Sequence, residues 1–241
     1  MLVDAHCHLD SFDKIDVPQE IIAITSGYSH EANQKSVEIA KKHKNIFYSL
    51  GISPQIAQRT EDLEGMLPQW QNFIKISNPI AVGEIGLDFH WAKRDEEKQK
   101  QRKCFHSMLE LAENLSVPVV FHCREAFDEL LSTIRSYNIT SFMLHCFSGS
   151  EKDAMEAIEL GGLISIPPIP STGRKKAIKR AGEGHVLAET DAPYLGRTLN
   201  DIKVSLRIIS NSLNISEEEA GKKTAQNAIS FFGIDEHVQR H

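Results

Sequence analysis

The sequence is poor in cysteine, has no long apolar run and carries no excess of positive charge. Its 241 residues include four cysteines, none of which forms a C-x-x-C pair, and this usage is typical of free thiols in a reducing compartment. No run of about 18 apolar residues is present to span a bilayer, and no secretory leader can be read at the start. We therefore expect a cytoplasmic protein with no membrane partner.

The charge balance excludes proteins that coat nucleic acid through a positive field. The 27 basic and 33 acidic residues give a formal net charge of -6, so any attraction for a polyanion must be local. The run 173–176 (GRKK), with Lys179 and Arg180 after it, is either a contact for a DNA backbone or a solvated helix face. No alternation of aromatic and basic residues marks a platform on which bases could stack.

Short β-rich runs alternate eight times along the chain with longer segments, most of which show helical periodicity. The predicted strands are Leu2–His8, Glu20–Ser26, Ile46–Gly51, Ile80–Asp88, Val117–Cys123, Ser141–Phe147, Gly162–Ile166 and Val186–Asp191. The predicted helices between them are Glu31–His43, Glu61–Ser77, Asp95–Leu115, Glu125–Tyr137 and Glu151–Leu160. This pattern favours an α/β fold of the (β/α)8 TIM-barrel type, with a doubly wound open sheet as the alternative.

Two further helices are predicted after the last strand, at Leu199–Leu213 and Ser216–Phe232. In the second, Ser216 as N-cap and Glu219 three residues later predict a capping box. No linker or break in composition divides the sequence, so we expect a single domain over residues 1–241 in which these helices close the barrel.

The segment DAHCHLD places two histidines two residues apart on the first predicted strand. Because side chains alternate along a strand, Asp4, His6 and His8 are expected on one face, and Ala5 and Cys7 on the other. In a barrel one of these faces looks into the interior. The histidines are then expected to converge inside, with Cys7 packing as a small hydrophobic residue.

Histidines and carboxylates fall at the ends of five of the predicted strands. They are His6, His8, Glu84, His122, His145 and Asp191. In a barrel these ends form the face on which active sites are built. Six buried polar groups around one cavity are hard to satisfy without a cation, and one ion rarely needs six such ligands. We therefore expect two metal ions, with Glu84 as the bridge between them.

The segments DAHCHLD, GEIGLDF, PVVFHCREA, LHCFSGS and ETDAPYL occur in this order, and together they resemble the TatD-like metal-dependent deoxyribonuclease family. The resemblance implies a barrel of the amidohydrolase type that holds two divalent ions and hydrolyses phosphodiester bonds in DNA. It implies His6, His8 and Asp191 as ligands of one ion, and His122 and His145 as ligands of the other. Zinc, manganese and magnesium all stay open as the native metal.

In the expected reaction, a hydroxide held by both ions attacks phosphorus while the ions neutralise the charge that develops on the phosphate oxygens. Asp191 is the candidate general base, and Glu84 is the second predicted catalytic residue. Glu189 supports a ligand or orients a neighbouring loop, and Asp88 and Asp10 orient ligands or cap helices.

The expected partner is DNA or another phosphodiester, with no obligate protein partner. Arg124 shares the face of His122, where it would hold a substrate phosphate or pair with a metal-binding carboxylate. Ser53 stands where the family usually carries a histidine before the proline, so it is a second candidate contact. The loop after Tyr194 is shorter than in the family, which leaves the choice of substrate open.

Two other classes of function stay open. A binuclear enzyme of the amidohydrolase type could act on a small nucleotide diester, a lactone or an amide. Many such barrels hold their metals with a carboxylated lysine on strand four, whereas AVGEIGLD has Glu84 there and no lysine. The second alternative is a non-catalytic, metal-stabilised scaffold, against which the complete set of six predicted ligands argues.

Overall fold

Eight parallel strands lie side by side in the order β1 to β8 in the computed structural model, which describes residues 1–234. The strands are β1 (Leu2–Cys7), β2 (Ile21–Ser26), β3 (Ile46–Leu50), β4 (Ala81–Asp88), β5 (Val119–Arg124), β6 (Phe142–Leu144), β7 (Gly162–Ile166) and β8 (Val186–Ala188). The helices are α1 (His30–Ala40), α2 (Pro54–Arg59), α3 (Leu63–Ser77), α4 (Asp95–Leu115), α5 (Phe127–Ile134), α6 (Glu151–Glu159), α7 (Thr172–Ala181), α8 (Ile202–Leu213) and α9 (Glu217–Phe232). The predicted (β/α)8 TIM barrel is confirmed, and the open-sheet alternative is wrong.

The eighth strand meets the first mainly through the segment that follows β8. The amide of Asp191 donates to the carbonyl oxygen of His6 at 2.9 Å, and the amide of His8 donates to that of Ala192 at 2.7 Å. The buried Asp4 carboxylate accepts from the Thr190 amide at 2.9 Å and from the Thr190 hydroxyl at 2.6 Å. We call this contact between β1 and residues 190–192 the β8–β1 junction.

The alternation predicted along β1 is interrupted by a shift in the register between Asp4 and Cys7. Asp4 pairs with Ala23, which packs in the same hydrophobic cluster as Cys7, whereas Ala5 packs in the other cluster. A bulge of this kind moves the following side chains to the opposite face. The prediction that Asp4 shares a face with the two histidines is therefore wrong, because Asp4 turns to the β8–β1 junction instead.

Other boundaries differ where the chain leaves the sheet early. The predicted strands Ser141–Phe147 and Val186–Asp191 shorten to β6 and β8, and the left-handed residues Cys146 (φ 47°) and Asp191 (φ 48°) follow them. The short α2 was not predicted, since six residues carry no periodicity; Pro54 begins it. Of the predicted capping box, the structure shows the first half, in which the Ser216 hydroxyl accepts from the Glu219 amide.

The core has two layers of apolar side chains. The larger layer lies between the strands and the surrounding helices. The smaller layer combines alternate strand residues with the last turns of α9, among them Ile22, Ile24, Val120, Met143, Leu187, Phe231 and Phe232. Val120 and Met143 precede His122 and His145 of the polar cluster described below by two positions, and Leu187 precedes Glu189, which lies beside that cluster. This layer therefore forms the floor of the site.

Among residues 1–234, no helix combines the length and the apolar character that a membrane span requires. The single domain expected over residues 1–241 stays a prediction, and residues 235–241 lie outside the described part of the chain.

Gly86 on β4 lies opposite His122 on β5, with a φ of 142°. A Cβ atom at this position would overlap the carbonyl oxygen of His122. Two independent reasons therefore require glycine at position 86. Its positive φ is strained for other residues, and the close approach of β5 leaves no room for a side chain.

We expect Gly86→Ala to lower the free energy of unfolding by about 2–3 kcal/mol, because β4 and β5 must move apart. Urea unfolding followed by circular dichroism measures this change. The matched control is Gly173→Ala in α7, where a Cβ meets open space, and it should leave stability unchanged or raise it by up to about 1 kcal/mol. Equal stability of the two variants would contradict the close approach.

Candidate metal centre

The six polar residues predicted at the strand ends meet at the C-terminal end of the barrel. Their ligand atoms form two groups whose members lie within 4.8 Å of one another: His6, His8 and Asp191 in the first, and Glu84, His122 and His145 in the second. The family resemblance implied His6, His8 and Asp191 as one set and His122 with His145 as the other, and the members of each set lie together; Glu84, expected between the sets, groups with His122 and His145. Their role as metal ligands stays a prediction. All six are buried except His122, which is partly exposed.

In the first group, the free nitrogens of two imidazoles face each other. Nε2 of His6 lies 3.1 Å from Nε2 of His8. The same His8 nitrogen lies 3.2 Å from Oδ1 of Asp191. The opposite nitrogens are held by β2, since Nδ1 of His8 donates to the Ser26 carbonyl oxygen at 2.9 Å and Nδ1 of His6 lies 3.0 Å from the Ser26 hydroxyl. These contacts fix the rings and leave both Nε2 atoms directed at the cluster.

In the second group, Nδ1 of His122 lies 3.3 Å from Oε1 of Glu84 and 3.1 Å from Nε2 of His145. The other nitrogen of His122 donates to Oδ2 of Asp88 at 2.8 Å, and Gln55 donates to the same oxygen at 2.8 Å. Asp88 also caps the loop after β4, because its Oδ1 accepts from the Trp91 amide at 3.2 Å. Asp88 thus orients His122, whereas the helix-cap role is wrong, because α4 begins at Asp95 with Arg94 as its N-cap.

Asp88 is itself held by the long helix α4. The buried Gln101 amide group accepts from the Asp88 backbone amide at 2.8 Å and donates to the Asp88 carbonyl oxygen at 3.0 Å. A side chain that satisfies both backbone groups of one residue replaces a missing strand partner. This arrangement anchors the residue that orients His122.

The Glu84 carboxylate lies between the two groups. Its Oε2 is 3.6 Å from Nε2 of His6, 3.8 Å from that of His8 and 3.9 Å from that of His145. Its Oε1 faces His122. One carboxylate is thus within reach of ligands of both groups, the position that a bridging ligand requires.

Burial and mutual contact set the charges of the cluster. Burial would raise the pKa of Glu84, but His145 and His122 lower it to about 2. Burial lowers the pKa of His145 to about 4, and burial together with the charges of His145 and His8 holds the pKa of His6 well below its usual value. Burial also opposes protonation of His122, but hydrogen bonds to Asp88 and Glu84 raise its pKa to about 10.

This donor set fits divalent cations. His6 and His145 are neutral imidazoles, the form that binds metal, and Glu84 is ionised. His122 is protonated, and its positive charge balances the carboxylates. A bound cation could supply this positive charge in place of the proton. The two facing Nε2 atoms of the first group are also better satisfied by a cation between them than by each other.

Glu189 lies beside this cluster and forms a third close group with His6 and His145. Its Oε1 accepts from the Cys146 amide at 2.7 Å, which holds the loop after β6. Its Oε2 is buried without a hydrogen-bond partner, 4.0 Å from the equally unpartnered Nδ1 of His145. The structure thus shows the loop-orienting role considered for Glu189, and burial raises the pKa of this carboxyl.

The predicted substrate contacts occupy different surroundings. Arg124 is exposed at the end of β5, and its guanidinium lies over the Trp91 ring, 6.0 Å from the centre. Ser53 is buried as the N-cap of α2, and its amide donates to the Tyr28 carbonyl oxygen at 2.9 Å. Asp10 contacts the Ser11 hydroxyl at 3.4 Å. A contact of Arg124 or Ser53 with substrate stays a prediction.

The basic run after β7 forms the first turns of α7. Arg174 is buried and donates to the carbonyl oxygens of Phe147 and Ile169, so it holds the loop between β7 and α7. Lys175 and Lys176 are exposed, which agrees with the solvated helix face considered for this run.

Several residues of the site carry no pattern that the sequence could reveal. Gln55 and Gln101 are single polar residues in helices, and their contacts with Asp88 depend on the packing of α2 and α4. The rings of Tyr28 and Tyr194 both approach His8 edge-on, with centroid distances of 5.3 and 5.0 Å. Tyr28 and Tyr194 lie in the loops after strands β2 and β8, at the face where barrels build their active sites. This position could have identified both tyrosines as site residues from the sequence.

The sequence and the fold of this chain are similar to those of known hydrolases. Human deoxyribonuclease TATDN3 is 30% identical over an alignment of 266 positions, which covers 98% of this chain and 96% of the human protein. An uncharacterized metal-dependent hydrolase of Methanocaldococcus jannaschii is 32% identical and covers 95% of this chain and 96% of its own length. The crystal structure of YJJV, a TatD homologue from Escherichia coli, superposes with a TM-score of 0.81 at 22% identity, covering 96% of this chain and 98% of that chain.

The sequence profile described as "TatD related DNase" matches residues 3–233, a range that includes strands β2 to β8, all of β1 except Leu2, and the six residues of the cluster. The chain therefore belongs to the TatD related DNase family.

Proposed function

We propose that this metal-dependent hydrolase of the TatD family cleaves phosphodiester bonds in DNA with the help of two divalent cations. The observation that carries the proposal is the position of Glu84, whose Oε2 lies 3.6 Å from His6 and whose Oε1 lies 3.3 Å from His122. A single carboxylate that faces two separate sets of imidazoles is the arrangement of a binuclear site.

Six residues are assigned as ligands in this proposal. His6, His8 and Asp191 would hold one cation, His122 and His145 would hold the other, and Glu84 would contribute to both. The four imidazoles favour zinc or manganese, since magnesium prefers a shell of oxygen atoms. Asp88 orients His122 through the 2.8 Å hydrogen bond to its outer nitrogen.

The chain's own groups prepare the reaction. Bound divalent cations would acidify a water molecule and offset the negative charge that develops on the phosphate oxygens. Glu84 stays ionised throughout the neutral range, because its pKa is about 2. The Asp191 carboxylate lies 3.2 Å from His8 on the loop that leaves β8, where it accepts the proton of the attacking water. The apolar floor below the cluster excludes bulk water.

DNA is the substrate that the family and the human relative support, since that relative is named a deoxyribonuclease. The net charge of -6 means that attraction for a polyanion must come from the site itself and not from the whole surface. Groups at the mouth of the barrel, such as Arg124, are suited to supply this local contact.

Chelator-stripped protein should leave end-labelled single-stranded DNA intact, and zinc, manganese or magnesium should restore its shortening. The physical reason is that the positive charge of His122 is already balanced by the carboxylates, so the residues alone supply no net positive charge to offset the phosphate in the transition state. Gel electrophoresis of the labelled strand measures the result. If folded protein with two bound ions cleaves no DNA, the proposal fails, and small phosphodiesters, lactones and a purely structural role of the metal become the alternatives.

Glu84→Gln should reduce bound metal from two ions per chain to one or none, because a neutral amide cannot replace the bridging charge. DNA cleavage should fall by about a thousandfold or more, as expected when a centre that stabilises transition-state charge is lost. Mass spectrometry of the metals gives the stoichiometry. A variant that keeps two ions and normal cleavage would show that Glu84 is not the bridge.

Asp88→Asn should weaken the affinity for one of the two ions by about 10- to 100-fold, because His122 loses its charged hydrogen-bond partner. Competition with a chelator at fixed pH measures this affinity. Asp62→Asn is the matched control, since the Asp62 side chain accepts from the Gly65 amide at the start of α3 and contacts no proposed ligand, and it should change the affinity by less than about threefold. Equal effects in the two variants would contradict the orienting role of Asp88.

A further inference from the structure

Trp91 is an exposed aromatic side chain at the edge of the proposed metal centre. Its residue is 55% exposed, whereas the protein's other tryptophan, Trp70, is 5% exposed. The Trp91 amide donates to Asp88 at 3.2 Å, and Asp88 in turn accepts from His122 at 2.8 Å. Two hydrogen bonds therefore connect the backbone of Trp91 to a proposed ligand.

The indole ring is held in place from the side. The His90 ring meets it edge-on, with a centroid distance of 5.0 Å and an interplanar angle of 87°. His90 is fixed in turn by a 2.7 Å contact between its Nδ1 and the Glu125 carboxylate. An exposed ring whose neighbours restrict its rotation loses little entropy when it binds a planar ligand.

The surroundings of Trp91 combine apolar surface with local positive charge. Of the seven large hydrophobic side chains that are exposed within residues 1–234, four lie on loops after strands at this face of the barrel: Trp91, Ile169, Tyr194 and Leu195. The Arg124 guanidinium lies 6.0 Å from the centre of the indole. A cation next to a stacking surface fits a ligand in which planar bases alternate with phosphates.

We propose that the Trp91 indole stacks on a nucleobase next to the scissile phosphate, and that Arg124 contacts the adjoining phosphate. This inference rests on the proposed function and assigns a base-binding position to the same site. The net charge of -6 means that the protein as a whole does not attract the negatively charged DNA. Stacking on a base adds binding affinity that does not depend on the net charge of the protein. The aromatic and basic partners are far apart in sequence, which is why no interleaved pattern announced them.

The test compares two substrates that share a backbone. One is a short oligodeoxythymidylate, and the other is a strand of equal length built from abasic tetrahydrofuran nucleotides. Trp91→Ala in the metal-loaded enzyme should lower kcat/KM for the first by about tenfold more than for the second, whereas Trp91→Phe should keep most of the preference. Val204→Ala, an exposed apolar side chain on α8, is the matched surface control and should change neither value.

A binding measurement separates this inference from the proposed catalysis. Intrinsic fluorescence of the metal-loaded protein is titrated with a phosphorothioate oligodeoxythymidylate, which resists hydrolysis. Stacking should quench the signal in wild-type protein and in Trp70→Phe, but not in Trp91→Phe, and the abasic strand should quench none of the three.

Equal losses of kcat/KM on both substrates, or quenching that survives in Trp91→Phe, would overturn the base-binding role. If wild-type protein cleaves neither strand but shows the Trp91-dependent quenching, the proposed catalysis fails while base binding stands. If it cleaves both strands equally well and Trp91→Ala changes nothing, the catalysis stands and the base-binding role is lost.

Discussion

The burial of an ionised carboxylate among four imidazoles is the constraint on which the rest of the site depends. His145 and His122 lie close to Glu84 and lower its pKa against the effect of burial. The outer nitrogen of His122 donates to Asp88 at 2.8 Å, whereas Nδ1 of His145 has no hydrogen-bond partner among the described residues. The order of the site therefore spreads outward from one carboxylate through hydrogen bonds to the surrounding strands and helices.

The barrel provides this order because its strand ends place side chains from distant segments around one axis. An apolar layer below, formed by residues such as Val120 and Met143, fixes the depth at which His122 and His145 emerge. Gly86 lets β4 approach β5 closely beside His122. Packing and chemistry are thus arranged on the same strands, with the apolar residues two positions before the polar ones.

Much of this arrangement could be predicted from the sequence, because the strand ends repeat a pattern of polar residues that alternation and barrel geometry bring together. His6, His8 and Asp191 lie together in the structure, and so do His122 and His145, as expected, while their role as metal ligands stays a prediction. The role of Asp4 could not be predicted, because the register shift in β1 leaves no mark on the sequence. The contacts of Gln101 with Asp88, and of Arg124 with Trp91, depend on tertiary packing between segments that no local periodicity connects.

The β8–β1 junction also has a consequence for the order in which the protein is made. The first ligand group joins residues near the N-terminus, His6 and His8, to Asp191, and the hydrogen bonds of the junction join the same segments. Such long sequence separation delays contact formation during folding. On the ribosome, this group cannot assemble until Asp191 has emerged, so the nascent chain presents His6 and His8 without their acidic partner while the strands between them are made. A cation bound by the completed group, as proposed, would tie the first strand to the last and stabilise the closed barrel.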